Sequence, residues 1–293
     1  MNYINKNFSY FFLTPLYNDW KSFNKLLKNL NNELKKKKRV ASVIIINDNS
    51  SSIEKIIYKK NKNIKKIVIL NLKKNLGSQK AIFIGLHYLK NLKHENILTI
   101  LDSDGEDDVK KINNLIAMAE ANLDKIIIAN REKRLEGFFL KFLNKIRLYI
   151  TYILTGYYIN FGNFSSFHTK NLKKLLTNNN LWIAYSSGIL KNFNKFIYIN
   201  TKKQKRYFGH SKVNYSFLLN HSLNINCIFW KKIIFKSLAV FIMCIVFFKK
   251  SFLVIVSILL VFLNFLILLK FFKNYNHFPI KNYIKNKIVL KNF

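Results

Sequence analysis

The twelve residues ILTILDSDGEDD, Ile97 to Asp108, restrict this chain more than any other stretch. A run of apolar, β-prone residues (Ile97, Leu98, Ile100, Leu101) stops at Asp102, and Ser103, Asp104, Gly105, Glu106, Asp107 and Asp108 follow. The chain has 14 acidic residues against 50 basic ones, so five carboxylates in seven positions are not background. A buried strand ending in Asp-x-Asp sets two hard oxygen ligands at its carboxyl end, where open α/β sheets bind ligands. Carboxylates this close repel one another unless a cation lies between them, and Mg2+ or Mn2+ bridging to phosphates is the usual partner. An acidic turn capping a helix that begins near Val109 accounts for the same letters.

Strands and helices alternate around this stretch. Phe8–Thr14 reads as a first strand, closed by a turn from Pro15 to Asp19 and followed by a helix carrying Trp20, Phe23, Leu26, Leu27 and Leu30. Ala41–Ile46 is a second strand, and Asn47 to Ser52 after it both close the strand and cap a following helix. Lys66–Leu70 is a third, leading through Asn75, Leu76, Gly77 and Ser78 into a helix with Ala81, Ile82, Gly85, Leu86 and Leu89. The fourth strand is the acidic stretch itself, with a helix over Val109–Ala121, and Lys125–Ala129 is the fifth. Units of this length predict an α/β fold with a doubly wound, mostly parallel sheet and right-handed crossovers. Polar residues collect at the carboxyl ends of strands one, two, four and five, where a nucleotide would lie.

Composition narrows the class. At 293 residues, with half of them apolar and 27 Phe, the chain can bury a large core and carry an appendage. Only 8 Gly and 2 Pro argue against a disordered or repetitive protein. A net charge of +36 suggests an anionic membrane surface or nucleic acid. Lys, Asn, Ile and Phe are abundant together, however, so compositional bias accounts for part of it, and nucleic acid is not expected as a partner. Cys227 and Cys244 form neither a disulfide framework nor a metal spacing. The short apolar patch before Pro15 does not read as a signal peptide.

The ordered series TPLYND, IINDNSS, NLGSQKAIFIGL, LDSDGED and ANREKR, with RYFGHSK at 206–212, resembles the family 2 glycosyltransferases of GT-A fold. Within them it is most similar to the group of dolichyl-phosphate mannosyltransferase and the bactoprenyl-phosphate glucosyltransferases. The likeness runs from Thr14 to about Leu223. It implies donor-binding roles for Pro15, Tyr17, Asp19, Asp48, Asn75, Gly77, Lys80, Asp102 and Ser103, with Asp19 standing where the family usually has Glu. Asp48 would pair with the base's ring N–H, or act as a plain helix cap. Asp102, Asp104 and Glu106 match the metal ligands, Glu106 standing where the family often has Gln. Asp104, Arg131 and Arg206 match catalytic positions, and Arg134, Arg147 and Lys212 match positions that hold the acceptor's phosphate. Arg suits such tasks because its planar fork binds phosphate oxygens in pairs. In so basic a chain, position within a motif carries this reading, not charge.

Two segments depart from a soluble α/β pattern. Residues 137–157 read as one or two amphipathic helices with Lys141, Lys145 and Arg147 interspersed; they suit a membrane surface beside a lipid acceptor or an ordinary core. Gly162, Asn163, Phe164 and Ser165 follow where the bactoprenyl-type enzymes tend to have Gly-Asp-Phe-Arg. Asn163 cannot act as a base. A lipid phosphate needs none, since its second pKa near 6 leaves it largely anionic at neutral pH. A sugar hydroxyl would need one, leaving Glu132 and Glu136. Further on, Ile233–Phe248 and Phe252–Leu269 are apolar runs close to the length that crosses a bilayer, joined by Lys249, Lys250 and Ser251. Flanking lysines place both ends on the cytoplasmic side. A buried helical hairpin in a soluble core is the alternative.

The expectation is therefore a GT-A catalytic domain over residues 1–226, two transmembrane helices within 227–272 and a basic cytoplasmic tail over 273–293. It would be a multi-pass protein of the inner membrane, with its catalytic domain on the cytoplasmic side. The expected reaction moves a sugar from a UDP- or GDP-linked donor to a polyprenyl phosphate with inversion, using Mg2+ or Mn2+. Transfer to a hydroxyl of a lipid-linked glycan, and a catalytically silent membrane scaffold, are the alternatives. A homo-oligomer is open.

Overall fold

The computed structural model describes residues 8–52, 62–91, 96–133, 138–209, 215–247, 250–275 and 279–291. Their elements in chain order are β1 (Ser9–Leu16), α1 (Trp20–Lys36), β2 (Ala41–Asn47), β3 (Ile64–Leu72), α2 (Ser78–Leu89) and β4 (Asn96–Ile100). Next come α3 (Ile112–Ala121), β5 (Ile126–Lys133), α4 (Phe138–Thr155), β6 (Phe161–His168), α5 (Leu172–Leu175), α6 (Asn180–Ile183), α7 (Tyr185–Asn192) and β7 (Phe196–Lys202). The chain ends with α8 (Tyr215–Cys227), α9 (Trp230–Phe247), α10 (Lys250–Tyr275) and β8 (Ile284–Lys291).

All eight strands form one sheet in the order β7-β5-β6-β4-β1-β2-β3-β8. The five strands read from the sequence are present, and β1, β2, β3 and β4 pair in parallel. Their Ile, Val and Leu runs are buried from end to end, as a sheet covered on both faces requires. The apolar stripe of α1 (Trp20, Phe23, Leu26, Leu27, Leu30, Leu34) and that of α3 cover one face. On the other, α2, α6, α7 and the start of α9 close a second core around Phe83, Trp182, Tyr185 and Phe229.

Three strands were not read from the sequence. β6 runs antiparallel between β4 and β5. It holds Asn163 and Ser165, so this motif lies inside the sheet and not on a loop. β7 flanks β5 in parallel.

The third, β8, corrects the expected basic tail. Residues 284–291 re-enter the sheet and pair antiparallel with β3. Ile284, Ile288 and Leu290 turn partly inward while Lys285, Lys287 and Lys291 stay exposed. That alternation covers an edge while its lysines repel further pairing. The helix expected after Ser52 falls outside the described residues.

The stretch from 137 onward yields one long helix, α4, with Phe142, Ile146, Tyr149, Ile150, Tyr152 and Ile153 exposed. α9 and α10 pack on each other as a hairpin, joined by Ser237 Oγ donating to Asn264 Oδ1 at 3.2 Å. At its base Trp230 meets Phe271 and Phe272, with ring centroids 5.9 and 6.5 Å apart. Asn179 Nδ2 donates to the carbonyl of Tyr275 there, 2.8 Å away, tying the end of α10 to the domain. Of the two helices expected to span a bilayer, one has the length and composition among the described residues: Phe252–Tyr275, with a mean hydropathy of 3.2 and almost none of its apolar window buried. α9 holds Lys231, Lys232 and Lys236 within its eighteen residues, too many charges for an ordinary span.

Candidate active site

One cleft of about 940 Å³ runs across the carboxyl ends of β1, β2, β4 and β5. Pro15, Tyr17, Asp19, Asp48, Gly77, Lys80, Asp102, Ser103, Asp104, Glu106, Arg131, Arg147 and Arg206 all line it, so the topology gathers nearly every expected residue that is described. Arg134 and Lys212 fall outside the described residues.

At one end of the cleft Asp48 is buried and accepts the backbone N–H of Leu76 through Oδ1, at 2.7 Å, and that of Gly77 through Oδ2, at 2.8 Å. Burial pushes its carboxyl above the ordinary range, and these two N–H groups together with the charge of Lys80 pull against that. Asp48 thus holds the loop before α2 in place. Asn75 helps from its side chain, accepting the Gly77 N–H at 3.2 Å. Lys80 lies 5.1 Å from the Trp182 ring centroid, and burial lowers its ammonium.

In the acidic turn the five carboxylates divide the work. Asp107 accepts the backbone N–H of Asp102 at 2.9 Å and pairs with Arg131 at 3.3 Å. Asp108 caps the turn at 109–111 by accepting the N–H of Lys110. Glu106, expected as a metal ligand, is instead paired with Lys203 at 3.0 Å, its charge met by the nearest ammonium. Asp104 accepts the backbone N–H of Glu106 at 2.9 Å, and Asp102 and Asp104 both line the cleft. Burial first, then the neighbouring carboxylates, push both of these above the ordinary carboxylate range.

Two buried carboxylates with raised affinity for positive charge are hard oxygen donors and fit a divalent cation that draws its other ligands from water and phosphate. Among the described residues no group of three or more His, Cys, Asp or Glu is arranged to hold a metal. The fit therefore rests on this pair. When bound, such an ion would neutralise charge on a diphosphate.

Residues 203–209 lie along the acidic turn like an added strand. Gln204 N–H donates to the carbonyl of Glu106 at 2.8 Å, and Tyr207 N–H to that of Asp104 at 2.9 Å. The Tyr207 ring rests on Gly105, where a Cβ would come within 2.5 Å of it, and Gly105 has φ +86°. Only glycine meets both conditions. This segment sets Arg206 between two carboxylates, 2.7 Å from Asp19 and 3.5 Å from Asp104.

The far side of the cleft holds Asn163, read from the sequence only as unable to act as a base, and Gln79 and His221, to which the sequence attached no role. Asn163 Nδ2 donates to Asp102 Oδ1 at 2.9 Å, while its Oδ1 accepts from Gln79 Nε2 at 3.1 Å. Gln79 Oε1 in turn accepts the N–H of Tyr185, at the start of α7, at 2.6 Å. Arg131 crosses Gly162, whose missing side chain leaves room for the guanidinium. On α8, His221 lines the cleft, and burial together with the charges of Arg147 and Arg131 lowers it to about 4, keeping the imidazole neutral at physiological pH. No motif marks His221; helical spacing alone could have suggested that α8 turns one face to the cleft.

Comparison with known proteins identifies the family. The model described as "Glycosyl transferase family 2" matches residues 12–205, and the chain belongs to that family of glycosyltransferases. No curated protein sequence matches significantly. Among solved structures, glucosyl-3-phosphoglycerate synthase from Mycobacterium tuberculosis, in complex with Mn2+, UDP-glucose and phosphoglyceric acid, is similar in fold. There the TM-score is 0.51 at 11% identity, covering 78% of this chain and 80% of that one. S. aureus TarS 1-349 in complex with UDP-GlcNAc aligns with a TM-score of 0.46 at 15% identity, covering 76% of this chain and 66% of that one. Against the longer TarS structure the chain spans only 36% of the length.

Proposed function

We propose that this family 2 glycosyltransferase moves a sugar from a nucleoside diphosphate donor to a polyprenyl phosphate at a membrane face, with inversion at the anomeric carbon. The observation that carries the donor half is the pair Asp102 and Asp104 at the end of β4, facing a cleft that also presents Arg131 and Arg206. Asp48, with the loop it braces, and Tyr17 and Asp19 at the end of β1 form the nucleoside end. Arg131 and Arg206 supply positive charge where the diphosphate leaves, and each is already paired with an acid that fixes its orientation. The Mn2+ and UDP-glucose named for the mycobacterial synthase support the same donor chemistry, and Mg2+ or Mn2+ would be held by Asp102 and Asp104.

The acceptor half rests on what the cleft lacks. The position where a relative's Asp could act as base is Asn163, and its amide is committed on both sides, to Asp102 and to Gln79. A phosphate acceptor is anionic without help. Its oxygen attacks the anomeric carbon, the bond from that carbon to the diphosphate oxygen breaks, and the electron pair leaves on the diphosphate. No proton has to move. Membrane contact is supported by α10 and by the exposed apolar row of α4.

Transfer by detergent-purified protein from UDP- and GDP-sugars, with and without polyprenyl phosphate, tests the proposal. Turnover that requires the lipid phosphate agrees with it. Donor binding with turnover only onto a glycan hydroxyl would replace the acceptor.

A further inference from the structure

Three asparagines stand side by side across neighbouring strands. Asn47 ends β2 opposite Asn71 of β3, and Asn71 lies opposite Asn286 of β8. Asn47 Nδ2 donates to Asn71 Oδ1 at 2.7 Å, and Asn71 Nδ2 donates to Asn286 Oδ1 at 2.6 Å. Asn47 and Asn71 are buried among runs of Ile, Val and Leu, and asparagine is a poor strand former. Propensity therefore does not explain the row. Linked amides polarise one another, so each bond in such a row leans on the next.

The row continues past the sheet. Asn47 Oδ1 accepts the N–H of Ser50 at 3.1 Å, in the loop that follows β2 and carries Asp48. Ser50 Oγ accepts the N–H of Asn18 at 2.9 Å, and Asn18 Oδ1 accepts the N–H of Ser51 at 2.8 Å. Asn18 and Asn49 have φ of 52° and 61°, left-handed conformations that these bonds hold in place. Asn18 lines the cleft between Tyr17 and Asp19. The two loops at the nucleoside end are thus bound to each other and, through Asn47 and Asn71, to β8. The entry to β8 is fixed as well: Lys73 N–H donates to the carbonyl of Tyr283 at 2.9 Å, and the Tyr283 ring lies 5.3 Å from that of Trp182, which lines the cleft. Asn286 lies beyond the residues that the family model matches.

We propose that Asn286 is a positioning residue for the donor: acting through Asn71 and Asn47, it holds the loop after β2 in the shape that receives the nucleoside. This rests on the nucleoside end proposed above. What the row requires of position 286 is an acceptor for the Asn71 amide. A side chain without one leaves that amide short of a partner, and Asn47 loses the fixed neighbour that orients it toward Ser50. The diphosphate end, built on Asp102, Asp104 and Arg131, does not draw on the row.

The test titrates the full chain in maltoside micelles with UDP, GDP and inorganic pyrophosphate, with Mn2+ present throughout. In Asn286→Val, which keeps a strand-forming side chain, affinity for the nucleotide that the wild type binds should weaken about threefold to tenfold. Pyrophosphate affinity should stay within about twofold, which also shows that the variant is folded. Asn286→Asp keeps the acceptor and should retain nucleotide affinity. Lys285→Val, one residue away on the same strand, should leave it unchanged. Undiminished nucleotide affinity in Asn286→Val would overturn the inference, as would an equal loss in Asn286→Asp or in Lys285→Val. A matching loss of pyrophosphate affinity would overturn the placing of the effect at the nucleoside end. Wild-type protein that binds neither nucleotide would overturn the donor reading, and this inference with it.

Discussion

Asn163 holds the carboxylate of Asp102 by a 2.9 Å hydrogen bond, and Gln79 holds Asn163 from the other side. A substitution that looked like the loss of a base is a positioning device. It satisfies one lone pair of a buried, crowded acid with a neutral donor, where a further carboxylate would add repulsion. Asn163→Leu leaves both Asp102 and Gln79 short of a partner, so kcat/KM should fall on the order of tenfold to a hundredfold. Affinity for the nucleoside diphosphate should fall with it, measured by titration with Mn2+ present. Asn163→Asp should lose affinity too, and the loss should shrink as the pH is lowered.

Gly105 under the Tyr207 ring predicts a separable steric effect. Gly105→Ala suffers from the positive φ and from the ring, and should lower stability by about 1–3 kcal/mol, read as a drop in Tm. Adding Tyr207→Ala removes the steric part and leaves the φ part, so the double variant should be less impaired than the two losses summed.

The parallel strands β1 to β4 were legible because a strand buried on both faces is an uninterrupted apolar run, and their polar ends could be read as a ligand site. β6 was not legible: Gly162, Asn163, Ser165 and Ser166 are polar, and only their partners in the sheet, such as Thr99 Oγ1 3.0 Å from Ser166 Oγ, make a strand of them. β8 was hidden by its lysines, which resemble a solvated tail until β3 is placed beside them. Within the site, Asp102 and Asp104 could be picked from the acidic cluster by their place in a motif. That Glu106 serves Lys203 and Asp107 serves Arg131 depends on the segment after β7 and on the end of β5, both brought to the turn only by the fold.

His221 should make the protein sensitive to mild acid. Its folded pKa lies near 4, below the ordinary value of 6.5, so the folded state binds fewer protons than the unfolded state between these values. Stability is therefore unaffected above the unfolded value and falls as the pH drops from 6.5 toward 4, by about 1–2 kcal/mol at pH 5. A His221→Asn variant should lack this part of the decline. Comparing Tm for the two proteins at pH 7.5 and pH 5 isolates the effect from that of the carboxylates.

Release of nucleoside diphosphate from a nucleotide-sugar tests the central claim most directly. With Mn2+ and polyprenyl phosphate, purified protein should release it at a rate that rises with the lipid, and Asp102→Asn should reduce that rate by at least about a hundredfold. Release that is indifferent to the metal, or undiminished in Asp102→Asn, would contradict the role given to the carboxylates at the end of β4.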